Sequence, residues 1–256
     1  MRKQLLMVDK VERYLLDYIK QNGAAHITLI DPEKVTTASA ASTASAAEEC
    51  GTAAIMVGGS TSMSTGHLDN VLKAIKKNVK APVILFPNNV TGISRFADAI
   101  WFMSLVNSLD PYFLIGAQIL GAPMVKRYSL EAIPLGYIIV GEGGTASIVG
   151  RAAPIPYEKP ELAVAHALAA QYLGMRFVYL EGGSGASNPV PPEMVRMVKS
   201  QLDIPLIVGG GIKTGEQAKK AVAAGADIIV TGTVIEQNGD QAKIRELTEN
   251  IKRIKG

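Results

Sequence analysis

Residues 205–233 read PLIVGGGIKTGEQAKKAVAAGADIIVTGT and contain two short apolar runs separated by a helical pattern. The first run, 205–208, leads into three glycines. The helix after it begins with a Thr-Gly-Glu-Gln capping box at Thr214 and ends before Gly225. The second run, 227–230, leads into Thr-Gly-Thr. Both runs are continuously apolar, which is typical of parallel strands covered on both faces. The segment therefore predicts a strand–helix–strand unit of a parallel sheet.

The same alternation extends over the whole chain. Further apolar runs precede the two just described, at residues 25–30, 53–57, 83–86, 99–103, 137–140 and 177–180. Helical patterns lie between strands at residues 38–49, 68–77, 111–119, 160–172 and 191–201. A chain of 256 residues has room for one α/β barrel but would be cramped as two average domains. We therefore predict a (β/α)8 TIM barrel that forms a single domain over residues 1–256.

Three segments lie outside this regular alternation. Residues 87–95 (PNNVTGISR) are polar and too short for a crossover helix, so we expect an extended segment to replace the helix after strand three. Residues 141–156 form a long loop after strand five, at the end of a barrel where substrates are usually handled. Residues 1–23 include apolar side chains at helical spacing among charges, which predicts an N-terminal amphipathic helix packed on the barrel.

Composition limits the classes of partner. The formal net charge of +3 is too small to favour nucleic acid, although it suits a site for an anionic substrate. The lone Cys50 excludes an intrachain disulfide and indicates a reducing compartment. Every long apolar stretch is interrupted before it reaches membrane-spanning length. We therefore expect a cytoplasmic protein that has no transmembrane segment and binds no nucleic acid.

Glycines follow both strands of the opening segment, at 209–211 after strand seven and at Gly232 after strand eight. Glycine lets backbone N–H groups approach phosphate oxygens closely, and a nearby helix N-terminus adds positive potential. In barrels, the turns after strands seven and eight recurrently bind phosphate. These turns therefore predict a phosphate site, the alternative being that the glycines only permit tight turns.

Another glycine-rich turn follows strand six, in the stretch YLEGGSGASN at residues 179–188. Glu181 lies where a barrel strand delivers a side chain into the active-site mouth. There it can accept a proton from a substrate hydroxyl while the turn contributes N–H donors. The alternative is a surface turn with a solvated Glu.

Asp31 follows strand one, which Pro32 ends. A carboxylate at this place is suited to Mg²⁺, which prefers hard oxygen ligands and bridges to substrate phosphates. The stretch VGGST at residues 57–61 offers a hydroxyl after the neighbouring strand. The three histidines lack zinc-ligand spacing, and His26, at the other end of strand one, is expected to be structural.

Several motifs, taken in order, closely resemble the geranylgeranylglyceryl phosphate synthases: HITLIDPEK, VGGST, FMSLVNS with IGAQ, YLEGGSGASNPV, VGGGIKTGEQA and GADIIVTGT. The resemblance extends from about His26 to Thr233 and includes the short connection after strand three. The glycine turns alone occur in many phosphate-binding barrels, whereas YLEGGSG combined with LIDP is far more specific. The family's bacterial branch carries a lysine two residues before the aspartate. This chain has Leu29 there, which favours the larger, archaeal-type branch.

The resemblance implies a reaction and a site. The family transfers a prenyl group from its diphosphate, here geranylgeranyl diphosphate, to the 3-hydroxyl of sn-glycerol 1-phosphate, making the first ether bond of archaeal-type lipids. The resemblance further implies that Asp31 and Ser60 hold Mg²⁺ and that Glu181 is the catalytic base. The residues that it implies for glycerol phosphate binding are Tyr179, Leu180, Glu181, Gly182, Gly183, Ser184, Gly185, Gly210, Gly211, Gly232 and Thr233.

A prenyl tail requires an apolar trough. The candidates lie near the ends of strands three and four, and each alternatively belongs to the core: Phe86, Trp101, Phe102, Tyr112 and Phe113. The resemblance also implies a homo-oligomer, either a dimer or a hexamer. Release of a lipid product further implies a transient contact with a membrane surface.

Two other functions fit part of the sequence. One is another phosphate-binding barrel enzyme, such as a sugar-phosphate isomerase or a lyase. Such isomerases use an aspartate on each half of a two-fold barrel, but strand five is followed here by Gly141 and Glu142, and the two halves are not similar. The other is a non-enzymatic binder of phospholipid headgroups or metabolites, which would leave Asp31 and Glu181 without a role.

Overall fold

Eight parallel strands form a closed barrel in chain order in the computed structural model, which describes residues 8–59, 64–232 and 241–251. Closure is direct, because β1 pairs in parallel with both β2 and β8. The strands are β1 Ala25–Ile30, β2 Ala54–Val57, β3 Val83–Leu85, β4 Ala99–Leu105, β5 Glu131–Ile139, β6 Phe177–Glu181, β7 Leu206–Gly209 and β8 Ile228–Thr231. The predicted TIM barrel is confirmed.

Helices cover the outside of the barrel. They are α1 Lys10–Asn22, α2 Thr37–Glu49, α3 Thr65–Asn78, α4 Ala117–Tyr128, α5 Gly144–Val149, α6 Pro160–Tyr172, α7 Pro192–Lys199, α8 Gly215–Ala224 and α9 Gln241–Ile251. A π-helical turn, Tyr112–Gly116, leads into α4. The predicted capping box of α8 is present, with the Thr214 hydroxyl accepting from the Gln217 N–H. None of the helices in the described part of the chain is both long and apolar enough to cross a bilayer.

The connection after β3 has no α-helix. Residues 86–98 contain only a short 3₁₀ turn, Val90–Gly92, so the expected replacement of this helix is confirmed. The 141–156 loop, in contrast, contains the short helix α5, which its sequence did not predict. Strand β4 also continues two residues beyond the predicted end, to Leu105.

Strand β5 begins at Glu131, six residues before the predicted start at Tyr137. Pro134 and Gly136 are both unusual inside strands, so the sequence pattern did not indicate a strand at the start of β5. Pro134 has no backbone N–H to donate. It lies just before β5 starts to pair with β6 at Leu135, so no hydrogen bond to β6 is lost there. Gly136 lets α6 approach, because a Cβ there would lie 2.6 Å from the Ala170 Cβ.

Helix α1 closes the N-terminal end of the barrel. Its buried side chains Val11 and Leu15 join the cluster that fills the barrel interior. The Glu131 carboxylate, at the start of β5, accepts the N–H groups of Val11 and Glu12 at 2.6 and 2.7 Å, which satisfies donors in the first turn of α1. Buried Glu12 also pairs with Arg176 at 2.7 Å, just before β6. The predicted N-terminal helix therefore packs on the barrel and leaves the carboxyl ends of the strands open.

His26 belongs to a polar network inside the barrel. Its Nδ1 lies 2.9 Å from Thr52 Oγ1 and its Nε2 lies 2.8 Å from Thr231 Oγ1. Burial lowers the pKa of His26 to about 4, because a charged ring would lose its hydration. The expected structural role of His26 is consistent with this environment.

We predict that His26 makes the protein acid-sensitive. Between pH 6.5 and about 4, an unfolded His26 binds a proton that the folded residue does not, so stability falls as pH falls through this window. The loss approaches about 3 kcal/mol at the lower end. Urea unfolding at several pH values, compared with His26→Gln, measures it. The variant should be less stable at pH 7 but should have a shallower slope between pH 6.5 and 4, and equal slopes would contradict the assignment.

Candidate active site

A cavity of about 710 Å³ opens at the carboxyl ends of the strands, within the size range of small-molecule sites. Its walls come from almost every strand end and from α4 and α5. Polar groups face it from the ends of β1, β6, β7 and β8, whereas apolar side chains come mainly from β4, from Phe86 after β3 and from Phe113 of the π-helical turn. The cavity therefore has a polar side and an apolar side.

Glu181, the last residue of β6, is the buried carboxyl of the polar side. Its Oε1 accepts the Gly183 N–H at 2.7 Å, and the Tyr179 hydroxyl also donates to it. Burial raises the pKa of Glu181 above its ordinary value, and the hydrogen bonds from Tyr179 and Gly183 offset part of this rise. A carboxyl with a raised pKa, held in one orientation, is suited to accept a proton near neutral pH.

The glycine turns after β6 and β7 are in contact with each other at Glu181. Gly210 and Gly211 have φ angles of +83° and +70°, which glycine adopts without strain. A Cβ on Gly210 would lie 2.5 Å from Glu181 Oε1 and 2.6 Å from the Gly183 nitrogen. Outside the β7–β8 ladder, the N–H groups of Gly210 and Gly211 donate to no backbone acceptor within the described ranges. Successive N–H groups in such a turn form an anion-binding concavity.

The predicted ligand-binding residues are mostly brought together. The cavity walls include Tyr179, Glu181, Ser184, Gly185, Gly210, Gly211 and Gly232. Leu180 is outside them, because alternate strand residues face opposite ways and its side chain packs in the cluster between sheet and helices. Gly182 and Gly183 lie behind the wall, where their N–H groups bond to Gly209 and Glu181. Thr233 is outside the described residues.

Asp31 lines the same cavity as Glu181 and comes directly after β1. Its Oδ1 accepts the Glu33 N–H at 3.1 Å, and its Oδ2 lies 3.3 Å from Lys34 Nζ. Gly59 leaves room for this carboxylate, since a Cβ there would lie 2.4 Å from Asp31 Oδ1. Ser60, the other predicted metal ligand, is outside the described residues.

The donor set suits a hard cation held partly by substrate. Residues 8–59, 64–232 and 241–251 contain no group of three or more His, Cys, Asp or Glu side chains that could hold a metal ion. Mg²⁺ does not need such a cage, because it keeps several waters and binds through one or two carboxylates together with substrate phosphates. Asp31 at the cavity wall fits that mode of binding.

The candidate trough residues divide into two groups. Phe86, Trp101, Phe102 and Phe113 line the cavity. Trp101 is also part of the core, with its ring 5.2 Å from that of Phe177. Tyr112 is absent from the walls as the structure describes them, and its hydroxyl donates to Asn89 Oδ1 at 2.6 Å.

Sequence profiles and relatives agree with this geometry. The profile of the PcrB family matches residues 16–251. The chain belongs to the PcrB family. It is 56% identical to the geranylgeranylglyceryl phosphate synthase of Thermofilum pendens, covering 96% of this chain and 95% of that protein. It is 54% identical to the enzyme of the same name from Thermococcus kodakarensis, covering 98% and 100%.

Solved structures give the same result for this PcrB family chain. The (S)-3-O-geranylgeranylglyceryl phosphate synthase of Thermoplasma acidophilum, solved in complex with its substrate sn-glycerol 1-phosphate, superposes with a TM-score of 0.91 at 42% identity, covering 96% of this chain and 99% of that one. The thiamine phosphate pyrophosphorylase of Pyrococcus furiosus superposes with a TM-score of 0.59 at 13% identity and shares the fold alone.

Tyr137 of this PcrB family member lines the cavity, although the sequence did not predict it as a site residue. Tyr137 lies opposite Tyr179 in the β5–β6 register, and its ring centroid is 5.2 Å from that of Tyr179 and 5.3 Å from that of Phe86. Burial and the nearby Glu181 charge both raise the pKa of its hydroxyl. A tyrosine on each of two neighbouring strands could have indicated that Tyr137 lies beside Tyr179, but the predicted start of β5 was misplaced.

Replacing Gly210 with Ala should weaken anion binding at the turn. An Ala at φ +83° is strained by about 1–2 kcal/mol and would press on the Glu181 carboxylate. We expect the affinity for inorganic phosphate, measured by calorimetry, to fall at least about tenfold. Gly66→Ala is the matched control, because a Cβ there meets open space in α3. Equal phosphate affinity in Gly210→Ala and wild type would refute the site.

Proposed function

We infer that the protein is a geranylgeranylglyceryl phosphate synthase, which joins a geranylgeranyl group to the 3-hydroxyl of sn-glycerol 1-phosphate and releases diphosphate. The observation that carries this inference is the contact between the Glu181 carboxyl and the Gly210 turn at the mouth of an apolar cavity. This contact supports a base beside an anion site, in a cavity that also has apolar walls. The relatives in the PcrB family support the same activity.

The acceptor is held by its phosphate. The N–H groups of Gly210 and Gly211 bind the phosphate oxygens, and the glycine turn after β6 covers it from the other side. This fixes one end of a three-carbon molecule. The hydroxyl at the other end then lies within reach of Glu181. Binding therefore restricts the translation and rotation of the acceptor before the chemical step.

Glu181 receives the proton of the attacking hydroxyl. The bond between C1 of the prenyl group and the diphosphate oxygen breaks, and its electron pair leaves with diphosphate. A lone pair of the glycerol hydroxyl forms the new C–O bond, and the hydroxyl proton passes to Glu181 Oε1 or Oε2. The Tyr179 hydroxyl and the Gly183 N–H keep this carboxyl in place throughout.

The donor occupies the apolar side of the cavity. Phe86, Phe102 and Phe113 contribute to a wall long enough for part of an isoprenoid chain, which favours a prenyl donor over a sugar phosphate. We propose that the donor is geranylgeranyl diphosphate. A sugar phosphate, the substrate of the isomerase alternative, would leave the apolar side of the cavity without a ligand.

We propose that Mg²⁺ assists the departure of diphosphate, and that Asp31 together with Ser60 holds it. A bound Mg²⁺ neutralises the charge of the leaving diphosphate. Asp31 is suited to this because it is buried, acidic and lines the same cavity as Glu181 from a different strand end. Glu181 therefore acts on the glycerol phosphate, and Asp31 acts on the prenyl diphosphate.

We also propose that the enzyme is a cytoplasmic homo-oligomer, either a dimer or a hexamer, that contacts the membrane surface transiently when its lipid product leaves. The exposed side chains of Ile115, Ile119 and Leu120 form an apolar patch on the segment leading into α4 and on α4 itself, as expected for an interface. Light scattering tests the assembly, and a monomer would contradict it.

The activity itself is tested by incubating the protein with sn-glycerol 1-phosphate, geranylgeranyl diphosphate and Mg²⁺. We expect an organic-extractable phosphate whose mass is that of the prenyl ether. Omission of either substrate should abolish it. Unchanged substrates after prolonged incubation would refute the proposed function.

Glu181→Gln should separate binding from catalysis. Gln cannot take the hydroxyl proton, so we expect kcat to fall roughly 10²–10⁴-fold while the Kd for sn-glycerol 1-phosphate changes less than about threefold. In the wild type, kcat/KM should fall as pH drops through the raised pKa of Glu181, because only the ionised carboxyl accepts a proton. Glu142→Gln is the control, since Glu142 is exposed. Near-normal turnover of Glu181→Gln would remove Glu181 as the base.

Asp31→Asn should weaken the response to Mg²⁺. Loss of one carboxylate ligand removes most of the charge that attracts the cation, so we expect the Mg²⁺ concentration at half-maximal rate to rise at least about tenfold. The readout is initial rate against Mg²⁺ concentration, again with Glu142→Gln as the control. The assignment of Asp31 as a ligand would be wrong if the metal requirement stayed unaltered.

A further inference from the structure

Phe86 lies directly after β3 and is only half-buried, unlike the other aromatic rings at the centre of the barrel mouth. Its ring centroid is 5.8 Å from that of Tyr179, with the planes tilted by 30°, and 5.3 Å from that of Tyr137 in an edge arrangement. These two contacts fix the orientation of the Phe86 ring. The part of the ring that they leave uncovered lines the cavity.

Phe86 is connected to each of the two carboxyls through neighbouring residues. On one side, a Cβ on Gly58 would lie 1.9 Å from the Phe86 carbonyl oxygen, and the next residue, Gly59, is in contact with Asp31. On the other side, the Phe86 ring is in contact with Tyr179, whose hydroxyl bonds to Glu181. The carbon that is transferred must lie between the leaving group and the attacking hydroxyl. The Phe86 ring lines the same cavity as both carboxyls.

We propose that Phe86 is a catalytic residue whose ring contacts C1 of the donor and stabilises the positive charge that develops there. This rests on the proposed function, because it requires an allylic diphosphate as donor. As the C1–O bond to diphosphate stretches, its electron pair moves to diphosphate and the allyl fragment becomes cationic. The glycerol oxygen then supplies the pair for the new bond, and its proton goes to Glu181.

A benzene ring suits this place for a physical reason. The negative face of its quadrupole attracts a cation, and the attraction is stronger where water is excluded. The ring also has no nucleophilic atom that would capture the cation before the glycerol hydroxyl does. The two neighbouring tyrosines do not offer the same surface. Tyr179 is almost wholly buried and its hydroxyl is bonded to Glu181, while Tyr137 is more covered than Phe86.

The test replaces Phe86 by phenylalanines carrying one, two and three ring fluorines. Fluorine withdraws electrons from the ring face while changing its volume little. We expect log kcat to fall with each fluorine, reaching about a tenfold loss with three, while KM for the donor changes less than about twofold. Phe86→Leu should lower kcat at least as far as the trifluorinated variant.

Phe96 provides a matched control. Its ring has a cationic partner elsewhere, Lys73 Nζ at 4.3 Å from the centroid, and it is outside the cavity walls that the structure describes. The same fluorine series at Phe96 should leave kcat unchanged. A flat kcat at Phe86 in an enzyme that forms the prenyl ether overturns this proposal alone, as does a rise in KM without a fall in kcat. Absence of the ether product from the wild type instead overturns the proposed function.

Discussion

The site depends on the close contact between the last residue of β6 and the turn after β7. Glu181 Oε1 accepts the Gly183 N–H, and any side chain at Gly210 would collide with that same oxygen. One contact thus sets both the orientation of the base and the path of the backbone whose N–H groups face an anion. The barrel brings the two turns together, because the neighbouring parallel strands β6 and β7 end side by side at one edge. The glycines are required because no other residue fits between the two turns.

The two ends of the barrel have different roles for physical reasons. Helix α1 covers the N-terminal end, where Glu131 satisfies its first N–H groups and Arg176 pairs with the buried Glu12. Burial of charge there is compensated by pairing. Burial raises the pKa of both carboxyls, that of Glu12 despite its pairing with Arg176 and that of Glu181 despite its hydrogen bonds from Tyr179 and Gly183. Of these two carboxyls, Glu181 lines the cavity and Glu12 does not.

Sequence patterns predicted the barrel, the missing helix after β3 and the glycine turns of the cavity wall, because each depends on local signals such as apolar runs and glycine turns. They misplaced the start of β5, since Pro134 is tolerated where β5 is not yet paired with β6 and Gly136 is tolerated through its close approach to α6, neither of which the sequence displays. For the same reason Tyr137 was overlooked. Leu180 was included as part of a motif, although strand alternation directs its side chain to the helices.

A crystal structure with sn-glycerol 1-phosphate and a non-reactive thio analogue of geranylgeranyl diphosphate tests the central claim most directly. The account predicts phosphate oxygens within hydrogen-bond distance of the Gly210 and Gly211 N–H groups, and the 3-hydroxyl beside the Glu181 carboxylate. It also predicts the prenyl chain along the Phe86 side of the cavity. A phosphate bound away from these glycines, or a 3-hydroxyl beyond the reach of Glu181, would contradict it.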